Sequence, residues 1–371
     1  MEYVTTGRQL EEVGRAAAEA GLFAADTEAA GYHRYRDTIC LIQVSTRERT
    51  WVIDVLELTE LDPLRAPLVE QGTEVVFHDA DYDLRLLHRD FGLEVRGLFD
   101  TKIAAELLGE PGLGLASLLE RHVGLTIPKK YQRADWARRP LPDDMIEYAA
   151  EDTRHLPVLR DALAEELERK GRLRWAEEEF RLRERTVWED DPADDAFRVK
   201  GSRDLDRRQL AALRELFEWR ESVAEERDQA PFRIVSNNDL VTVARALPRA
   251  RPEIVAAGLS EGNARRWGRD LLDAVRRATD LAESELPEKA KRGRREPHDP
   301  EIDERVERMR KARDLAATEY ELDRGLLLPR HMMETIARVN PASVAELHGI
   351  DGLRNWQIEL VGERVLNALQ A

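Results

Sequence analysis

The first 170 residues or so switch repeatedly between a helical and a strand period. Leu10, Val13, Ala16 and Ala17 recur at helical spacing and predict a helix over 7–21. The apolar run Leu22-Phe23-Ala24-Ala25 then climbs into Asp26-Thr27-Glu28 and reads as a strand. Segments 38–46 and 51–55 read as two more strands, and the polar turn Arg47-Glu48-Arg49-Thr50 makes them an antiparallel pair. A short helix is expected over 60–70, a strand over 74–78, and a helix over 81–91 with Leu84, Leu87 and Phe91 on one face. Leu98-Phe99-Asp100-Thr101 is expected to open a helix reaching Leu108, followed by another over 114–123. A basic, aromatic loop over 128–142 leads to one long helix, 143–170. Pro140 and Pro142 start it, Asp143-Asp144 occupy its first turn, and Pro157 should kink it or break its bonding locally. Alternating strands and helices of this kind predict an α/β domain.

Strand signals stop beyond residue 172. Residues 172–200 are charged and read as a connection. A weak internal repeat follows. Residues 208–228 form an amphipathic helix (Leu210, Leu213, Leu216, Phe217, Trp219, Val223), and after Pro231 the segment Asp239 to Ala244 begins another. Residues 305–323 and Met332 to Ala337 repeat the scheme, and each copy ends in a helix, around 263–280 and 355–369. The pattern therefore divides the chain into an α/β domain over 1–195, a helical domain over 201–282, a linker over 283–299 and a second helical domain over 300–371.

Composition narrows the class. With 42% hydrophobic and 36% charged residues in 371, the chain reads as globular and highly charged, long enough for a sizeable core. A single cysteine, Cys40 within Ile39-Cys40-Leu41-Ile42, excludes an internal disulfide and a cysteine metal site. Together with the absence of a signal-like start or an 18-residue apolar run, it leads us to expect a cytoplasmic protein. The net charge of −16 excludes a uniformly basic coat but not a nucleic-acid partner, because local patches decide binding. Two basic runs stand out: Lys129-Lys130-Tyr131-Gln132-Arg133 with Arg138-Arg139, and 289–295 in the linker.

The candidate chemistry is carboxylate. Asp26 and Glu28 lie one residue apart on a strand and so project to the same side. Two acids on one face of a buried strand repel each other, and a hard divalent cation relieves that economically. A second group, His78-Asp79-Ala80-Asp81-Tyr82-Asp83-Leu84, lies where a strand hands over to a helix. Asp79 and Asp81 are explained as well by helix capping, and Asp83 is the favoured functional acid. The third is Tyr148-Ala149-Ala150-Glu151-Asp152, where Tyr148 and Asp152 share a helix face and the small Ala149-Ala150 pair permits close approach to the sheet. Carboxylates at 26, 28, 83 and 152 are about the set needed to hold two Mg²⁺ or Mn²⁺ ions roughly 3.5–4 Å apart for phosphoryl chemistry.

In this order the motifs resemble those of the tyrosine-type DEDD 3′→5′ exonucleases: Asp26-x-Glu28, His78 followed by Asp83, and Tyr148-x-x-x-Asp152. Leu41-Ile42-Gln43 and Asp135-Trp136-x-x-Arg139-Pro140-Leu141 bring the chain closer to the ribonuclease D family. The helical repeats are similar to its helicase and RNase D C-terminal (HRDC) domains, the second copy less so than the first. The resemblance implies a ribonuclease H-like exonuclease domain with a central mixed sheet, followed by two small all-α domains. It implies that Asp26, Glu28, Asp83 and Asp152 hold two divalent cations. Asp26 would bridge them, Glu28 and Asp152 would belong to the nucleophile-side ion, and Asp83 to the other. Tyr148 would orient the attacking water with Glu28.

His78, Lys130, Arg133 and Trp136 are candidate substrate contacts, together with Lys129 and Arg138; for His78 a structural role is the competing reading. Trp136 and Tyr131 would supply base stacking and the basic residues phosphate contacts. The expected partner is the 3′ end of structured RNA, tRNA precursors above all, and the expected state a monomer. A DNA 3′→5′ exonuclease on the same scaffold, and a non-catalytic nucleic-acid-binding protein, are the alternatives. The second would be missing carboxylates that this chain retains.

Overall fold

The computed structural model describes residues 1–58, 60–70, 72–127, 130–189, 195–288 and 299–370. The first part contains β1 (Glu2–Val4), α1 (Gly7–Ala20), β2 (Leu22–Ala29), β3 (Ile39–Ser45), β4 (Thr50–Asp54), α2 (Asp62–Val69), β5 (Glu74–Phe77), α3 (Asp81–Phe91), β6 (Leu98–Asp100), α4 (Thr101–Leu108), α5 (Leu115–His122), α6 (Asp143–Arg154), α7 (Leu156–Arg169) and α8 (Leu173–Arg183). The six strands make one mixed sheet in the order β1-β4-β3-β2-β5-β6. β2 is central: it runs antiparallel to β3 and parallel to β5, with Asp26 opposite Gln43 and Glu28 opposite Leu41. α1 is closed on either side of its apolar stripe by a Thr6–Gln9 capping box and by Gly21 in the left-handed region, which turns the chain directly into β2.

Alternation along β2 sends its residues into two cores. Phe23 and Ala25 pack with Leu10, Val13, Leu64, Leu84 and Leu87 on one face. Ala24 joins Val76, Ala104, Leu159 and Leu163 on the other. α6 lies across β2, β3 and β4, and Ala149 and Ala150 are fully buried beside Cys40, Leu41 and Val52. Burial pushes the Cys40 thiol up to about 12, so it is an inert packing group.

Four local outcomes differ from the sequence pattern. The expected long helix is two, interrupted at His155, with Pro157 in the first turn of α7 where its missing N–H leaves no bond unmade. Residues 98–100 form strand β6 rather than a helix start; Asp100 then caps α4 by accepting from the amides of Lys102 and Ile103. β1 was not anticipated; three residues carry too little period to read. α8 lies within the charged stretch 172–200, and its burial of Ala176 and Phe180 is masked by six charged residues around them.

The helical part consists of α9 (Arg207–Glu226), α10 (Pro231–Ile234), α11 (Asn237–Ala246), α12 (Arg251–Ala257) and α13 (Glu261–Asp280), then α14 (Pro300–Glu319), α15 (Arg324–Leu327), α16 (Arg330–Val339), α17 (Val344–Leu347) and α18 (Asn355–Gln370). The second set shares a core with the sheet domain: Met309, Met333, Trp356 and Val361 belong to the same buried cluster as Phe99 and Leu159. Trp356 stacks on Trp175 at 5.5 Å, and Arg172 donates to the carbonyls of Leu107 (2.8 Å) and Tyr320 (2.5 Å). The backbones come so close that a Cβ at Gly109 (φ 78°) would sit 2.1 Å from the Glu321 carbonyl oxygen. The basic run at 289–295 and most of the expected linker lie outside the described residues. No described helix is long and apolar enough to cross a membrane.

Candidate active site

The two β2 carboxylates stand just past the buried half of the strand, and both are partly buried. Burial holds Asp26 well above the usual carboxylate range, and repulsion from Asp83, Asp152 and Glu28 adds to it. Glu28 is raised by burial, then by Asp152 and Asp83. Asp83, in the first turn of α3, is pushed up to about 7 by burial, against the stabilising hydrogen bond it accepts from the Thr27 hydroxyl at 2.5 Å. Asp152 on α6 is also pushed up to about 7, by burial and then by Glu151. The four therefore face one another electrostatically, and no basic side chain is among the groups acting on Asp26 and Glu28. Buried like charges of this kind either hold protons or bind cations.

Tyr148, one turn before Asp152, is wedged between two rings. Trp136 stacks on it at 6.3 Å and Tyr131 meets it edge-on at 5.6 Å. Burial, then the charges of Asp152, Glu28 and Asp26, hold its phenol well above the usual range, so it stays protonated at neutral pH. Tyr148 and Asp152 line a cavity of about 300 Å³ whose opposite wall is Gly114 to Ser117 at the start of α5, with Ile127 and Gln132. That wall was not singled out from the sequence; its one signal is the glycine pair Gly112 and Gly114 ahead of an apolar helix. Thr27 was also missed, because a threonine between two acids carries no pattern of its own.

Do these residues suit divalent cations? Gln43 speaks for it. It is fully buried opposite Asp26, and both atoms of its amide lack a hydrogen-bond partner. A buried amide left unpaired costs about 1–3 kcal/mol, so it is a group waiting for water or for the hydration shell of an ion. Among the described residues no three His, Cys, Asp or Glu side chains form a ready-made cage.

The other candidates separate. His78 is mostly buried, its Nδ1 paired with the Thr101 hydroxyl at 2.9 Å, and burial lowers its pKa; the geometry is that of a structural histidine. Trp136 is 2% exposed, which corrects the expectation of base stacking on it: its face is spent on Tyr148. Lys130 is held by Asp144 at 3.0 Å, and Arg133 is exposed over the ring of Tyr32 at 5.7 Å. Lys129 lies outside the described residues. Asp81 is paired with Arg85 and Arg183, Asp79 with Lys102, so neither faces the carboxylate group, and neither is the residue preceding α3. Arg139 donates from Nε and Nη2, one edge of its guanidinium, to the two oxygens of Asp54 and ties the basic loop to β4.

Comparison with known proteins decides the family. A family model described as a 3'-5' exonuclease matches residues 1–168, and one described as the HRDC domain matches twice, at 209–275 and 303–369. The ribonuclease D of Escherichia coli is 34% identical over 289 residues, 77% of this chain and 77% of its own length. The chain belongs to the ribonuclease D family. The ribonuclease D of Pseudomonas paraeruginosa is 30% identical over 351 residues, 94% of this chain and 92% of its own. The crystal structure of Escherichia coli RNase D, titled as an exoribonuclease involved in structured RNA processing, superposes with a TM-score of 0.71 at 30% identity. It covers 99% of this chain and 98% of that one. Membership makes the chain a metal-dependent 3′→5′ exoribonuclease, a phosphodiester hydrolase acting on RNA. The ribonuclease D fold, an exonuclease α/β domain followed by HRDC helices, is the one described above.

Proposed function

We propose that the chain shortens structured RNA from its 3′ end one nucleotide at a time, tRNA precursors among its substrates, at a two-ion centre held by Asp26, Glu28, Asp83 and Asp152. The observation that carries this is the convergence of four carboxylates, Asp83 buried and Asp26, Glu28 and Asp152 partly buried, two of them pushed up to about 7, beside a protonated Tyr148 and a cavity of about 300 Å³. Asp26 would bridge the ions, Glu28 and Asp152 would hold one and Asp83 the other. Two such ions, when bound, stabilise charge on the attacking and leaving oxygens of an in-line displacement.

The chain's own groups do the positioning. Tyr148 keeps its proton and presents the hydroxyl to the attacking water, held in one orientation by Trp136 and Tyr131. Thr27 fixes the Asp83 carboxylate through its hydroxyl. The wall from Gly114 to Ser117 faces the terminal nucleotide and limits the depth to which a strand enters. Arg133 is the substrate contact we retain from the basic loop; Lys130, paired with Asp144, steadies that loop instead. We further propose that the nuclease domain spans 1–195 and the helical domains 201–282 and 300–371, acting together as a cytoplasmic monomer.

The test uses two 3′-tailed oligonucleotides identical except for ribose or deoxyribose, with Mg²⁺ and then Mn²⁺, on the unaltered chain and on Asp152→Ala. Stepwise loss from the RNA 3′ end, abolished in the variant, is the expected result. Equal or better shortening of DNA would replace the RNA reading. No shortening of either, with RNA binding kept, would make the protein a binding scaffold.

A further inference from the structure

A second contact surface lies outside the cleft, on the seam between the nuclease domain and the first helical domain. Tyr32, in the turn four residues past Glu28, is 40% exposed, and Phe232 at the start of α10 is 50% exposed. Their rings lie 5.4 Å apart. Single exposed aromatics are common, but two brought together from different domains are not an accident of surface composition.

Two arginines frame them. Arg233 lies over Tyr32 at 4.9 Å and over Phe232 at 5.9 Å, and Arg133 lies over Tyr32 at 5.7 Å. Acidic residues outnumber Lys and Arg by 74 to 58 in this chain, and neighbouring Arg34 and Arg36 are paired with Asp135, Asp228 and Glu225. Arg133 and Arg233, by contrast, have no carboxylate within 4 Å among the described residues, so their charge is uncompensated.

The seam is built rather than casual. Arg233 Nε donates to the Tyr32 carbonyl (2.8 Å), the Ala230 amide donates to the His33 carbonyl (3.1 Å), and His33 Nε2 bonds the Arg133 carbonyl (2.9 Å). It also runs into the active site, since Tyr131, two residues before Arg133, touches Tyr148.

We propose that Tyr32 and Phe232, with Arg133 and Arg233, form a stacking platform for single-stranded RNA upstream of the 3′ nucleotide held in the cleft. The proposal rests on the exoribonuclease reading of that cleft. The exposed parts of the two rings offer stacking surface to any base, and the guanidiniums beside them meet the phosphates. A paired stem offers no splayed base to such rings, so the occupant is unpaired RNA. The first helical domain thereby completes the substrate path instead of merely flanking it.

The experiment takes the full chain and the double variant Phe232→Ala with Arg233→Gln, and measures Kd for an unpaired 12-mer RNA with Ca²⁺ replacing the catalytic ions. The variant is expected to bind the 12-mer about tenfold or more weakly. Phe232→Trp, which keeps a ring, should retain the binding. Hydrolysis of a ribodinucleotide, too short to leave the cleft, should keep its kcat/KM. An unchanged 12-mer Kd, or an equal loss on a blunt RNA duplex, would overturn the proposal. So would equal losses on dinucleotide and 12-mer, which would mark the seam as structural support for the cleft. The 12-mer Kd decides the matter even if the unaltered chain hydrolyses neither RNA, a result that would count against the cleft reading alone.

Discussion

Two stretches of this chain match one HRDC description, yet they dock on the nuclease domain in opposite ways. Each last helix carries a tryptophan in its first half, Trp267 in α13 and Trp356 in α18. In the first unit Trp267 turns inward, packing edge-on against Trp219 at 5.6 Å, in a core of Leu213, Leu240, Val243 and Leu271 that contains almost nothing from the sheet domain. In the second, Trp356 turns outward, stacks on Trp175 of α8 and donates its indole N–H to Glu179 at 2.8 Å. One unit meets the nuclease domain through hydrogen bonds, ion pairs and exposed rings; the other is continuous with its hydrophobic interior. The same helical scheme thus serves as a polar, hydrogen-bonded contact in one place and as part of the core in the other. Equivalent positions of the two last helices are buried; what differs is that α18 adds Trp356, which reaches α8.

The sharpest way to break this comparison is Trp356→Ala. Removing a fully buried tryptophan from a shared core is expected to cost about 3–5 kcal/mol, and the loss should appear in the nuclease domain's own unfolding. Trp267→Ala should cost a similar amount but unfold the first unit alone. Chemical denaturation followed by residual nuclease activity separates the two, and equal loss of nuclease stability in both would erase the distinction.

A smaller effect comes from the carboxylates themselves. With Asp83 and Asp152 held up to about 7, the folded, metal-free chain keeps protons that the unfolded chain has released above about pH 4. Its stability therefore falls as pH rises from about 4 through 7, and stays low above that. Asp83→Asn should raise the metal-free melting temperature over the unaltered chain, by a margin that grows between pH 5 and pH 8. Calorimetry in EDTA reads it; a margin that shrinks with pH would contradict the buried, uncompensated site. This property belongs to the nuclease edge, so deleting a contact in either helical unit should leave the margin in place.

Gln43→Met is expected to weaken Mn²⁺ binding about tenfold, measured calorimetrically without RNA, while leaving metal-free stability equal or higher, because an unpaired amide is lost. Unchanged Mn²⁺ affinity would return Gln43 to a packing role. The smallest effect is Arg34→Ala at the first unit's seam. Its pairs with Asp135 and Asp228 are about one-third exposed on the arginine side, and such pairs contribute roughly 0–1 kcal/mol. A loss comparable to that of Trp356→Ala would mean that the polar seam holds the fold as firmly as the shared core does.

Much of this was legible in the order of residues. The strand carrying Asp26 and Glu28, the Asp83 junction, the Tyr148–Asp152 helix and the repeated helices all follow from period and from fixed spacing along one element. Short or masked elements were not: β1 and β6 are three residues each, and α8 hides two buried residues among charges. Trp136 misled because an aromatic in a basic loop looks like a stacking platform until its burial under Tyr148 is known.

The sequence by itself determined which carboxylates exist and which pairs share a face, because a strand repeats every two residues and a helix every 3.6. It also determined that two helical units follow. Only the tertiary structure decided that Thr27 reaches Asp83, that Gln43 sits unpaired opposite Asp26, and that Tyr32 meets Phe232 two hundred residues away. Those are relations between elements, set by how cores pack and strands register, and no local period encodes them. For the same reason two similar helical sequences came to play unlike parts.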